Sequence, residues 1–299
     1  MTRTTLLLLS LSTLSHADQI GPISIDFADI GNAGNANDSG GSGLYSSPFG
    51  GVSYDYRLSI TEISQAMVSV AGLPSGSWIG DQPATSINWY QAAGFVNWLN
   101  ITAGHQPAYR LNAGLSALTL WSSGEAWQDG GENLYRHKDA HYFLPSEDEW
   151  YKAAYHQNNG VTADYWDYAT ASNSAPTAVA SGVSASTAVY HLGSFSAPAD
   201  VSVAGGLSAY STMGQGGNVW EWMESASDGI NDSASEFRAF RGGFWNSSES
   251  NLRASTRNYD SPSVANYSVG FRVASVPEPS ALAILLVGLL ALVGRRTRP

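Results

Sequence analysis

The chain has 299 residues, 43% of them hydrophobic, enough for one large or two ordinary domains with a real core. Charged residues make up only 13%, the net charge is −11, and Lys138 and Lys152 are the two lysines, which argues against nucleic-acid or anionic-membrane binding because both need basic surface. The absence of cysteine excludes disulfides, thiolate metal sites and thiol nucleophiles.

In chain order, Arg3 precedes the apolar run Leu6–Leu14, and Ser15-His16-Ala17 puts small residues where a signal peptidase needs them. Cleavage after Ala17 is the expectation; a buried N-terminal strand is the alternative, disfavoured by the Gly/Asn-rich sequence downstream. Residues 31–50 read as loop. Val52, Tyr54, Tyr56, Leu58 and Ile60 then alternate with polar residues, the period of a strand with one buried face. Thr61 is expected to cap a helix carrying Ile63, Met67 and Val70 and stopped by Gly72. A second helix starts at Asn88, with Gln91 as its capping-box partner, and presents Trp89, Ala92, Val96 and Leu99 on one face. Residues 100–141 show no period. Ser146 and Glu149 form another capping box, and Glu147, Asp148 and Glu149 load the positive end of that helix, with one of them available to a buried arginine. His137 and His141 have the spacing of a helical metal pair, but Tyr142-Phe143-Leu144 before a proline suits a strand instead. Residues 173–206 are Ala/Ser/Val-rich and fit short strands and long loops of the same domain.

At the C-terminus VPEPS leads into the apolar run Ala281–Gly294 and then Arg295, Arg296 and Arg298. Fourteen residues fall short of the roughly 20 of an ordinary span, yet a terminal basic cluster marks the cytoplasmic side of a membrane segment. The pattern resembles the PEP-CTERM sorting signal read by exosortases of Gram-negative bacteria that make extracellular polysaccharide, with Pro277, Glu278 and Pro279 as its motif. The implied domains are a signal peptide (1–17), a body (18–275) and a sorting segment with a short transmembrane helix (276–299). The implied route is an inner-membrane-anchored precursor released to the cell surface or extracellular matrix by an exosortase-type enzyme.

Within the body, GGNVWEW (216–222), FRAFRGGFW (237–245), NLRASTR (251–257) and VGFRVA (269–274) combine glycine pairs, tryptophans and arginines in segments too short for helices. Glycine permits close backbone approach and tryptophan anchors it. With INWYQAAGFVNWL (87–99) and YFLPSEDEWYKAAY (142–155), these motifs resemble, in order, those of the formylglycine-generating enzyme (sulfatase-modifying factor) family. The resemblance implies an irregular α+β, C-type-lectin-like fold. It also implies a calcium site with a carboxylate from Glu221 and carbonyls from Gly217 and Val219, weakened because relatives carry Asp or Asn where this chain has Gly214; Glu221 pairing with an arginine is the alternative. Active members hold copper through two cysteines after the GG-aromatic turn. Here Ser247 takes the first position and Leu252, or a short deletion, the second, so no copper is expected: a hydroxyl and an alkyl group cannot replace thiolates. Arg241, Arg253, Arg257 and Arg272 are expected to tie loops together. The same segment resembles the variable-protein branch of the superfamily, whose polar and aromatic residues face a ligand. That places a binding surface on Trp245, Asn246, Ser247, Ser248, Glu249, Ser250 and Asn251, with Tyr259 and Asn266. A non-catalytic binding module for polysaccharide or a surface protein is the favoured reading; an enzyme with cysteine-free chemistry and a purely structural matrix protein are the alternatives.

Overall fold

The structure is a computed structural model and describes residues 16–38, 48–74, 76, 78–193 and 196–276. The sorting segment from Pro277 onward, including the apolar run, and the leader before His16 lie outside the described residues. Among the described residues no helix is long and apolar enough to cross a membrane.

Strands β1 (His16–Ile20) and β2 (Ile23–Ile30) form an antiparallel hairpin, and β2 pairs with β3 (Tyr56–Ser59). The expected cleavage point after Ala17 falls inside β1. Asp18, just beyond it, forms a paired contact with the buried Arg57 of β3 at 2.8 Å. Two helices follow, α1 (Gln65–Val70) and α2 (Trp89–Ala103). Four small strands, β4 (Arg110–Leu111), β5 (Leu118–Thr119), β6 (Ala126–Trp127) and β7 (Asn133–His137), make two hairpins from the stretch that showed no period. Next come β8 (Tyr142–Phe143) and α3 (Glu147–Tyr155), then the short parallel pair β9 (Thr177–Ala178) and β10 (Thr187–Ala188). The C-terminal third supplies β11 (Trp220–Ala226), β12 (Arg238–Arg241), β13 (Asn258–Asp260), β14 (Val269–Phe271) and β15 (Ala274–Ser275).

These strands build two main sheets, β1-β2-β3-β15-β8 and β13-β12-β11-β14, the second containing the parallel pair β11–β14. Helix α2 bridges toward the first sheet. Its Asn100 side chain donates to the Tyr142 carbonyl at 2.8 Å and accepts from the Tyr142 amide at 3.0 Å, as a missing strand would. The Trp89 indole donates to the Met223 carbonyl at 2.8 Å and so ties α2 to the second sheet. Trp89, Trp150 and Trp222 are fully buried, each removing roughly 150–250 Å² from water, worth several kcal/mol at about 25 cal/mol per Å².

The α+β, C-type-lectin-like expectation holds: helices are few and strands short and numerous. Two local expectations are corrected. The alternating run from Val52 is a strand only over Tyr56–Ser59, and all four of its residues are buried, because β3 lies inside the sheet between β2 and β15 with both faces covered. The first helix is capped by Ser64, whose hydroxyl accepts from the Met67 amide, and not by Thr61, whose hydroxyl turns to the Glu62 carbonyl.

Candidate functional site

The motif-rich C-terminal third is held by buried arginine–carboxylate pairs. Arg272 grips Glu221 on β11 at 2.6 and 2.7 Å and donates to the carbonyls of Ser59, Ile60 and Met213. Arg241 and Arg257 converge on Glu147, the first residue of α3, at 2.6 and 2.8 Å. Arg136 on β7 reaches both Glu149 and Glu224, each fully buried. Despite its burial, Glu149 titrates below the usual carboxylate range, because the Arg136 guanidinium is beside it. Glu147 and Glu149 at the start of α3 therefore serve the frame, as the sequence allowed, whereas Asp148 between them takes no arginine. Arg253 is exposed, 3.8 Å from the equally exposed Glu249, and its guanidinium lies 5.4 Å from the centroid of the Tyr168 ring, so it ties its segment to Tyr168 from the surface and not from the interior.

Between those clamps, Gly242 and Gly243 turn the chain at φ 103° and 80°. An added Cβ at Gly242 would lie 2.9 Å from the Gln215 carbonyl oxygen, so only glycine fits there. The turn delivers Phe244 and Trp245 to an edge-on aromatic group. Trp245 lies 5.2 Å from Phe244, 5.5 Å from Trp78 and 5.9 Å from Tyr267, centroid to centroid. Trp245 is buried, Trp78 and Phe244 are half-buried, and Tyr267 is 60% exposed. Beside this face runs the loop Asn246–Asn251. Ser248, Glu249 and Ser250 are exposed, while Ser247 is buried, its Oγ accepting from the Phe244 amide at 2.9 Å. Ser247 thus closes the turn that presents the aromatics. Leu252 packs with Tyr168, Ala188 and Tyr190.

The other expected contributors separate. Asn266 is spent on backbone: its Oδ1 accepts from the Ser268 amide and hydroxyl, and its carbonyl from the amides of Ser86 and Val269, which fixes the turn that displays Tyr267. Tyr259 sits on the edge strand β13 against Phe237, at 6.0 Å. Trp78 and Tyr267 were missed in the sequence. They lie about 190 residues apart in chain number, and neither belongs to a periodic apolar pattern, which marks nothing before the fold joins them.

Whether the segment bearing Gly217, Val219 and Glu221 fits calcium depends on the oxygens it leaves free. Glu221 Oε2 accepts from both Arg272 Nε and the Trp150 indole at 2.6 Å, so only Oε1, bonded once, keeps a lone pair to offer. The arginine alternative is the one the geometry realises. A second carboxylate, however, lies in the place left open at Gly214. A Cβ there would meet Glu62 Oε1 at 2.5 Å and Oε2 at 2.6 Å. Glu62 is fully buried, held through Oε1 by Asn218 Nδ2 at 3.0 Å, and its Oε2 has no partner. Burial, then the charge of Glu221, pushes the Glu62 carboxyl up to about 7. An orphaned buried carboxylate oxygen has the chemistry that suits a hard cation. His137 and His141, in contrast, face different partners, Trp121 and His105.

The family model of the sulfatase-modifying factor enzyme 1-like domain matches residues 68–276. Treponema denticola variable protein 1 is similar in structure, with a TM-score of 0.64 at 24% identity over 89% of this chain and 100% of that one. CarF gives 0.57 at 20% over 85% and 99%, and PvdO from Pseudomonas aeruginosa 0.56 at 14% over 88% and 98%. No curated protein sequence matches the chain. At these identities the structural likeness is one of fold, whereas the family model spans the motifs themselves. The chain belongs to the sulfatase-modifying factor enzyme 1-like domain family.

Proposed function

We propose that this protein is a non-catalytic recognition module, exported and sorted to the cell surface or extracellular matrix, which binds hydroxyl-rich extracellular polysaccharide through its aromatic face. The observation that carries the reading is the group Trp78, Phe244 and Tyr267, backed by the buried Trp245, beside the exposed polar loop Ser248–Ser250. Rings cover the apolar face of a sugar while fixed polar groups satisfy its hydroxyls. The family's oxidation is disfavoured because Ser247 spends its hydroxyl on the turn and Leu252 offers only an alkyl side chain, packed in the core. Retention of the protein on polysaccharide purified from its matrix measures this. Tyr267→Ala is expected to weaken retention about fivefold, since stacking on a ring is worth ~1 kcal/mol, and the triple change of Asn246, Glu249 and Asn251 to Ala is expected to weaken it as well. Undiminished retention by both variants would sink the proposal. Sorting by an exosortase-type enzyme at Pro277–Pro279 predicts a secreted form lacking Arg295, Arg296 and Arg298; a mass that includes them would refute it.

Calcium is part of the same reading. Glu62 and the free lone pair of Glu221 Oε1, with the carbonyls of Gly217 and Val219, would hold the ion, which would tie the 214–221 loop to the chain before α1. Excess calcium should raise the melting temperature of the wild type by several degrees relative to chelator. The Glu62→Gln variant should show no such difference. An equal response in both would remove Glu62 from the site.

A further inference from the structure

We propose that a second cleft, between the β6–β7 hairpin and the start of α3, binds an organic cation, an alkylammonium or guanidinium group. The cleft has a volume of about 310 Å³ and includes Tyr54, Trp127, Asp129, Glu132, Arg136 and Asp148 in its lining. That size accepts a ligand as large as an amino acid. It is built from other residues than the aromatic face and stands independently of the polysaccharide reading.

Its walls are fixed. The Trp127 indole donates to the Asp129 carbonyl at 2.9 Å, which pins the ring to its own hairpin, and the ring meets Tyr54 edge-on at 5.6 Å. Tyr54 in turn donates to Glu149 Oε1 at 2.7 Å. The protein already uses Trp127 as a cation acceptor, because the Arg136 guanidinium lies 5.3 Å from its centroid.

The charge is one-sided. Arg136 is the cleft's cation, and it is committed to two carboxylates, Glu149 and Glu224. Asp129 and Glu132 are exposed on the hairpin, and Asp148 accepts a single bond from the Gly50 amide, at 2.8 Å through Oδ1. Its Oδ2 is left for a ligand. Burial pushes the Asp148 carboxyl up to about 6, outweighing the Gly50 amide and the charge of Arg241, which itself is bonded to Glu147. Among the described residues no three acidic or histidine side chains converge as metal ligands do. Carboxylates spread along a cleft beside an aromatic ring fit an elongated cation better than a metal ion. A neutral sugar would leave Asp148 without a charge partner, and an anion would be repelled.

Calorimetry on the full chain tests this with 1,5-diaminopentane, its neutral analogue 1,5-pentanediol, and a capped peptide carrying one lysine. The diamine should bind, with affinity falling as ionic strength rises, and the diol should not. Asp148→Asn keeps the acceptor for Gly50 and should bind the diamine at least tenfold more weakly. Glu132→Gln, on an exposed loop where folding is not at stake, should lose a few-fold. A peptide that binds more tightly than the diamine would support the proposal with a partner protein's side chain as source; the reverse order would support it with a free amine. Equal binding of diamine and diol, absence of diamine binding, or an unchanged affinity in both variants would overturn it.

Discussion

Arg136→Ala is expected to leave little folded protein at 25 °C. The substitution strands Glu149 and Glu224, both fully buried, next to each other without a counterion. Breaking a single buried pair costs about 3–5 kcal/mol because the remaining charge stays in the interior, and here two charges remain. A domain of this kind has roughly 5–15 kcal/mol in total. Arg136 also stacks over Phe143 at 3.7 Å, so packing of β8 is lost with the charge. Lysine should rescue only in part, since one ammonium cannot reproduce the forked contacts to two carboxylates. Neutralising the stranded acids in the triple variant Arg136→Met, Glu149→Gln, Glu224→Gln should recover more stability than lysine does. Urea unfolding of the four proteins measures this; an unfolding free energy for Arg136→Ala within about 1 kcal/mol of the wild type would show that the cluster is solvated and not a buried ion network.

The parts of this fold that were legible in the sequence are those decided within a few residues. Asn88 with Gln91 and Ser146 with Glu149 form their capping boxes as written, because both partners sit on one helical turn. The role of Glu147 was legible in kind, as an acid available to a buried arginine, though not the two-arginine clamp by Arg241 and Arg257. Strands of two residues were not legible. A pair such as β8 and β15 exists only because Arg57, Asn100 and Arg272 hold distant segments side by side, and no local period records that. The same limit hid the sites. Trp78 meets Trp245, and Tyr54 meets Trp127, only after the sheets have formed. Glu62 was invisible for another reason: Gly214 marks a missing ligand in the sequence, but only the fold shows that the space beside it is filled by a carboxylate from a segment about 150 residues away.

Asp148→Asn should stabilise the protein at pH 8 while weakening the cleft as a cation site. The Asp148 carboxyl is raised to about 6 in the folded chain, with burial as the chief cause, the charges of Glu147 and Glu149 adding to it, and the Gly50 amide and Arg241 opposing. The unfolded value is close to 3.9. Between those two pH values the folded state binds the extra proton, so this residue's contribution is fully present below about pH 4, declines as pH rises to about 6, and stays lost above it. A shift of about two units corresponds to roughly 3 kcal/mol at about 1.4 kcal/mol per unit. Asparagine retains the acceptor that Gly50 uses and carries no charge to desolvate. The variant should therefore match the wild type near pH 4 and exceed it by roughly 2–3 kcal/mol at pH 8. Asp129 and Glu132, exposed on the facing hairpin, are common to both proteins and cancel in the difference to first order. Denaturant midpoints at the two pH values give the result. A gap that is the same at pH 4 and pH 8 would mean that Asp148 is not the group that titrates. A fixed diamine concentration that saturates the wild type adds a further discrimination: at pH 8 it should raise the wild type more than the variant, since the variant has lost one of the carboxylates that face the cation.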